Sequence, residues 1–351
     1  MPSSPYQPIY ETTRGRIVES IHFGAIAVVE ARGRLIAHYG DPQAVTYLRS
    51  TAKPFQALPF IQNEGQKFYD LSPRELALIC ASHSGTDEHV AVVRGMQAKT
   101  GVAEADLMCG VHPLDYEPTL EAMRQRGEVV TPNRHNCSGK HTGMLAYARM
   151  RQLPKEDYVD PSHPIQQEIL RAFAEMCDLP VGQVEIGIDG CSAPNFAVPL
   201  YHAALAYARL SDPEAGCVEP PSRRAACHAI TDAMTAHPDM VGGPDSFDTS
   251  LMQAARGRVL AKAGAEGYQG LALMPGVLGP GSPGVGIALK VSDGDARDRA
   301  RPALVLELLR QLGVLEATRD ALAGYGPTLP VKNWRKLEVG QAHPCFELGR
   351  G

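Results

Sequence analysis

Several things are scarce in this sequence. No apolar run approaches the ~20 residues that a membrane-crossing helix needs, so nothing is expected to span a bilayer. Positive charge is in slight deficit: 34 lysines and arginines against 39 aspartates and glutamates, a formal net charge of −5. That mild acidity leaves no electrostatic footprint for nucleic acid or an anionic membrane. Residues 1–8 hold neither a basic n-region nor an apolar h-region, so no secretory signal is read there and a cytoplasmic protein is expected. The eight cysteines, at 80, 109, 137, 177, 191, 217, 227 and 345, form no C-x-x-C and are too sparse for a disulfide scaffold. In a reducing compartment most of them are expected to be small buried apolar residues.

What the chain does have is 44% hydrophobic content over 351 residues, enough for a large core and one or two domains. Residues 16–40 read as a β-hairpin turning at Arg32-Gly33-Arg34. A helix is expected near 50–62. A second opens at Ser72-Pro73-Arg74-Glu75 with a capping box, and a third runs to about Lys99 with Gly101 as its C-cap. Further helices are read at 118–127, 138–152, 163–178, 195–210, 221–236 and 247–256, with a Pro-rich linker at 212–221. Strands are expected at 270–274 and 285–291, then helices at 295–314 and 316–323. The Gly-rich run 279–284 lacks Gly-Lys-Ser/Thr and a following helix, so it reads as a loop between strands rather than a phosphate cradle.

Strands at both ends and helices between them predict an α+β fold. N- and C-terminal strands would join one largely antiparallel sheet packed with helices, and a helical part would be inserted. Residues 1–85 with 242–351 are expected to make the sheet part, and 86–241 the mainly helical part. The serine β-lactamases, penicillin-binding proteins and serine-type glutaminases share that arrangement, and all use Ser-x-x-Lys.

The chain carries such a pair at Ser50 and Lys53. On a helix, positions i and i+3 share a face with Cβ atoms about 5–6 Å apart. A neutral amine there can take the hydroxyl proton and make the serine a nucleophile. Ser50 suits an N-cap, and Pro54 comes early enough to be tolerated. The densest polar run is Asn133 to Gly143, holding His135, Cys137, Lys140 and His141 before an apolar helix. It reads either as a reactive cluster or as a helix start capped by Ser138 or Thr142. Residues 186–195 read as a strand, a glycine turn and a helix. Asp189 and Cys191 would then stand at a strand's C-terminal end, a usual site position, or serve as turn former and buried filler. Lys262 lies among small and apolar residues. It is either desolvated, which favours its neutral form, or a snorkelling lysine paired with Glu266.

Taken together, Arg49-Ser50-Thr51-Ala52-Lys53-Pro54, Ser82-His83-Ser84-Gly85, Cys109-Gly110-Val111-His112-Pro113, Asn136-Cys137-Ser138-Gly139-Lys140-His141, Asp189-Gly190-Cys191-Ser192-Ala193-Pro194 and Lys262-Ala263-Gly264-Ala265-Glu266-Gly267 resemble the Rhizobium-type (class 3) L-asparaginases. The resemblance runs from about residue 10 to 325. It implies that Ser50 is the nucleophile and Lys53 its base, with Ser82 relaying protons and Lys262 as a second lysine. It implies a Zn²⁺ ion held by Cys137, Lys140 and Cys191. Arg49, His83, His141, Asp189 and Lys140 are placed around the substrate, L-asparagine, and the enzyme is expected to be a homodimer. A lysine ligand must bind as a neutral amine, which is uncommon, whereas two thiolates suit zinc well. Three rivals remain: a penicillin-recognising serine hydrolase, for which Lys99-Thr100-Gly101 is the tempting second motif; a glutaminase-like amidohydrolase; and a zinc-dependent scaffold with no turnover.

Overall fold

The computed structural model describes residues 4–314 and 320–351. In chain order it forms β1 (Gln7–Arg14), β2 (Ile17–Glu30), β3 (Leu35–Tyr39) and β4 (Val45–Tyr47). Helices α1 (Lys53–Gln62), α2 (Gly65–Phe68), α3 (Pro73–Ile79), α4 (Asp87–Thr100), α5 (Glu117–Arg126), α6 (Ser138–Met150) and α7 (Pro164–Met176) follow. Next come β5 (Glu185–Ile188), β6 (Pro194–Pro199), α8 (Leu200–Ser211), α9 (Pro221–Ala236), α10 (Pro238–Val241) and α11 (Phe247–Ala255). The chain closes with β7 (Val259–Gly264), β8 (Tyr268–Leu273), β9 (Val285–Val291), α12 (Arg301–Gln311), β10 (Leu329–Lys332), β11 (Glu338–Pro344) and β12 (Gly349–Arg350). Among the described residues no helix is long and apolar enough to cross a membrane.

The α+β class is as expected, with an antiparallel sheet built from both ends of the chain. Two compact units form: Met1–Thr51 with Val198–Gly216 and Ser250–Gly351, and Ala52–Ala197 with Cys217–Thr249. The first holds a sheet in the order β10-β11-β1-β2-β9-β8-β7, with β3 between β2 and β12. Its pairings are all antiparallel. The second half of β2, Ala25–Val29, is fully buried, as an apolar run flanked by β3 and β9 should be.

Helix α8 lies on this sheet, and two glycines let it approach. A Cβ at Gly286 would fall 1.8 Å from the Ala204 carbonyl oxygen, and one at Gly270 2.3 Å from the Tyr207 ring. Backbone cannot swing aside as a side chain can, so Gly286→Ala should destabilise the protein by about 3 kcal/mol. Gly182→Ala, where a methyl would meet nothing within 4 Å, should stay within about 0.5 kcal/mol. Denaturant midpoints of the two variants measure the contrast.

The second unit is mainly helical. Helix α1 packs on α7 and α9, and α3 on α6 and α9. The rings of Phe55, Phe173 and Phe196 are in series, the first pair edge-on at 5.8 Å and the second stacked at 4.7 Å. Gly139 and Gly143 face α3 so closely that a Cβ would come within 2.2 Å of the Leu78 oxygen and 2.8 Å of Ile79 Cγ2. That contact sets the start of α6 beside the end of α3. Residues 52–85, expected with the sheet, therefore pack among helices, while α8 joins the sheet unit.

Other elements depart from expectation for local reasons. Residues 49–52 form a 3-10 turn with Arg49 at φ 53°, and α1 begins only at Lys53, so Ser50 lies inside a turn and caps nothing. The helix expected from 195 starts at Leu200. Pro194–Pro199 is a strand paired with β5, and Pro199 restricts the residue before it to extended backbone. Asp189 and Cys191 thus lie in a hairpin turn rather than at the mouth of a βα unit. The helix expected from 295 begins at Arg301, because the Asp295 carboxylate accepts the N–H groups of Arg299, Ala300 and Arg301. Part of the helix expected at 316–323 lies outside the described residues; Asp320–Tyr325 is a 3-10 segment. The capping box expected at Ser72 and the left-handed cap expected at Gly101 are present, and Thr86 with His89 forms a further box that was not expected.

Candidate active site

Each unit carries part of the candidate set. In the sheet unit, Ser50 is half-buried in a turn fastened at Leu48, whose carbonyl accepts both the N–H (3.2 Å) and the hydroxyl (2.9 Å) of Thr51. The Tyr207 hydroxyl holds the Thr51 carbonyl from the other side at 2.7 Å. Strand β7 runs against this turn because Gly264 has no side chain. A Cβ there would stand 2.7 Å from the Leu48 oxygen and 3.1 Å from Thr51 Cγ2. Lys262 is two residues earlier on the same strand, hence on the same face. It is 1% exposed and donates to the Ala263 carbonyl at 2.7 Å. Arg49 pairs with Glu266 at 3.7 Å.

In the helical unit the centre is the amine of Lys53, the first residue of α1 and 1% exposed. Its Nζ meets three oxygens: the Ala81 carbonyl at 2.5 Å, Ser82 Oγ at 2.8 Å and the Asn136 carbonyl at 3.3 Å. Ser82 is itself fixed by its N–H to the Val241 carbonyl, 2.9 Å. Two of the three partners are backbone groups, which no side-chain pattern could have revealed. Asn136 was legible only as a neighbour of Cys137.

Beyond Asn136 the polar groups are buried and coupled. Cys137 hydrogen-bonds Cys191, and that bond, with the positive charges of Lys53 and Lys140, holds its thiol well below the ordinary range against the opposing effect of burial. The same contact, with burial, raises Cys191. The two shifts are opposite in direction, as in a pair that shares a proton. Lys140 Nζ lies 2.9 Å from Cys191 Sγ. Burial opposes its charge, but the two sulfurs outweigh that and keep it an ammonium. His141 is fully buried and receives the Tyr158 hydroxyl on Nδ1 at 2.5 Å. Burial pushes its pKa down to about 4, and a hydrogen bond to Cys191 opposes that shift. Asp189 accepts the Gly190 N–H at 2.7 Å and adds negative charge facing Lys140.

The expected ligands Cys137, Lys140 and Cys191 thus come together, and the donor set suits zinc in its two soft sulfurs. No group of three or more His, Cys, Asp or Glu side chains placed for a metal occurs among the described residues. A metal here would need the Lys140 amine as a ligand, deprotonated on binding. Lys99, Thr100 and Gly101, by contrast, only close α4: Lys99 pairs with Glu75 at 2.8 Å and bonds the Asp70 carbonyl. That is a structural anchor, and the penicillin-recognising reading loses its second motif.

His83 lies beside Ser82, but its ring turns inward. Nε2 is 2.9 Å from Ser138 Oγ, and Nδ1 accepts the Gly85 N–H at 3.1 Å. In sequence Ser138 reads as no more than a helix cap.

Residues 10–344 match the family described as L-asparaginase II. No curated protein matches the chain. Among solved structures it is similar to a Bacillus glutaminase (12% identity, 83% of this chain and 91% of that one, TM-score 0.39). It is also similar to a probable glutaminase from Bacillus subtilis complexed with 6-diazo-5-oxo-L-norleucine (14%, 83% and 84%, 0.38). A β-lactamase from Burkholderia ambifaria gives 15%, 82% and 92%, with a TM-score of 0.38.

Proposed function

Because the chain belongs to the L-asparaginase II family, and so to the amidohydrolases, we propose that it hydrolyses the side-chain amide of L-asparagine to L-aspartate and ammonia by way of a serine ester. The observation that carries the reading is the buried Lys53 amine with its three oxygens, one turn after Ser50 in the chain. A neutral amine has two hydrogens and one lone pair. The Ala81 and Asn136 carbonyls take the hydrogens, which leaves the lone pair for a hydroxyl.

Ser50 Oγ attacks the amide carbonyl and forms the tetrahedral intermediate as Lys53 accepts its proton. The proton passes through Ser82 to the leaving nitrogen, the C–N bond breaks, and ammonia departs. Water then attacks the β-aspartyl ester by the reverse relay and frees Ser50. Lys262 supplies a second amine beside the nucleophile's turn. Arg49, Asp189, His141 and Lys140 serve the substrate's charged α-groups. Zn²⁺ would be held by Cys137, Lys140 and Cys191; when bound it supplies positive charge that orients substrate and braces the site, since the serine is already the nucleophile. The same reading takes the enzyme to be a cytoplasmic homodimer.

Ammonia release measured in parallel on L-asparagine, D-asparagine and L-glutamine tests the substrate. Turnover of L-asparagine at a kcat/KM above that for L-glutamine supports the reading, and release from L-glutamine alone overturns it. The pocket difference is one methylene, about 1–3 kcal/mol, so weak glutamine turnover is compatible with it. Cys137→Ser should lower zinc affinity at least tenfold and raise KM more than it lowers kcat. Unchanged metal stoichiometry in that variant would remove Cys137 from the ligand set.

A further inference from the structure

We propose that His83 is a positioning residue whose ring locks the loop carrying Ser82 to the loop carrying Asn136, and so fixes the oxygens around the Lys53 amine. The inference deepens the reading above and rests on it for the role of Lys53.

The tautomer follows from the contacts. His83 Nδ1 accepts the Gly85 N–H at 3.1 Å, and a nitrogen that accepts carries no hydrogen. The ring is 1% exposed, and burial keeps it neutral. Its one hydrogen is therefore on Nε2, directed at Ser138 Oγ 2.9 Å away. The Ser138 hydroxyl is then free to donate onward to the Asn133 carbonyl at 2.9 Å. His89, stacked on His83 at 4.9 Å, repeats the arrangement: Nδ1 accepts the Thr86 N–H and Nε2 donates to the Asp239 carbonyl at 3.0 Å. Both polar atoms of His83 are committed inside the protein, which leaves none for a substrate.

The consequence lies within two residues of each end of the His83–Ser138 bond. Ser82 precedes His83, and Asn136 is enclosed between Asn133 and Ser138; both Ser82 and Asn136 contact Lys53 Nζ. Arg134 ties the same two loops through the Gly85 carbonyl at 2.8 Å, but three residues beyond Ser82. The Asn136 contact, at 3.3 Å, is the longest of the three to the amine and the first that a relaxed loop would lose. Without it the amine can rotate and point a hydrogen, rather than its lone pair, at the hydroxyl. Such misdirection slows the proton transfer while leaving substrate binding alone.

Two substitutions separate the ring's two contacts. His83→Asn keeps an oxygen that can accept the Gly85 N–H in an Asx turn but cannot reach Ser138. His83→Gln reaches Ser138 with an amide donor. The expected results are a kcat within about fivefold of wild type for His83→Gln, and a loss of about 10²-fold with KM within about twofold for His83→Asn. Ser138→Ala should match His83→Asn, and the double variant should be no slower than either. Ser138→Ala carries the test by itself if His83→Asn fails to fold. Full activity in His83→Asn, or a change confined to KM, overturns the proposal. The tautomer is checked without substrate by imidazole ¹⁵N shifts of the wild type, so failure of the asparaginase reading would be told apart: protonated Nε2 with bare Nδ1 supports the lock, and protonated Nδ1 refutes it.

Discussion

Ser50→Ala is expected to reduce ammonia release from L-asparagine by roughly 10⁴–10⁶-fold, the range seen when a serine nucleophile is deleted from an intact site. Its thermal midpoint should stay within about 2 °C of wild type. The two halves of that expectation come from different contacts. The turn containing Ser50 is held by Thr51 on the Leu48 carbonyl and by the Tyr207 hydroxyl on the Thr51 carbonyl. Removing one oxygen from Ser50 leaves those bonds in place. Substrate affinity should persist, because the charged groups assigned to the substrate belong to other residues. Kinetics and calorimetry on the same preparation check both halves, and turnover within tenfold of wild type would remove Ser50 as nucleophile.

Lys53→Met should be the second-largest loss, about 10²–10⁴-fold in kcat, the usual contribution of a positioned general base. Here a cost in stability is expected too. The amine serves two carbonyls in the interior, and a buried acceptor left without a donor costs about 1–3 kcal/mol. Lys53→Arg makes the decisive comparison. It restores positive charge and donors, but a guanidinium does not give up a proton in proteins. If Lys53 acts as base, the arginine variant regains stability without activity. If activity returns with it, the lysine is a charge and not a base. Rates at saturating substrate and denaturant midpoints for both variants separate the cases.

How far the site could be read from sequence depended on whether its parts were side chains. Ser50 and Lys53 could be singled out as a Ser-x-x-Lys pair, and Cys137, Lys140 and Cys191 as candidates through the family resemblance, because these are side chains. The structure places Lys140 beside the Cys191 sulfur, and Cys137 against Cys191. The backbone carbonyls of Ala81 and Asn136 were not legible, since every residue has one. The role of His83 was misleading: beside Ser82 in sequence it suggests a substrate contact, yet its ring is spent on Gly85 and Ser138.

For the fold, capping boxes and apolar runs placed most helices and the central strands. The errors cluster where proline or a single carboxylate decides the boundary, as at Pro194–Pro199 and Asp295. The last strands, β10 to β12, lacked a readable period because they border the sheet and bury little of either face. Strand β7 was read only as small residues around a lysine. Its glycine is there for the Leu48 turn, a reason that only packing discloses.

Catalysis through Ser50 requires a covalent bond between substrate and that one hydroxyl. Acid-quenched reaction with L-asparagine, followed by peptide mass spectrometry, tests it directly. A β-aspartyl group is expected on the peptide spanning residues 49–53, located on Ser50 and absent from Ser50→Ala. The same adduct found on Ser82, Thr51 or a cysteine would contradict it.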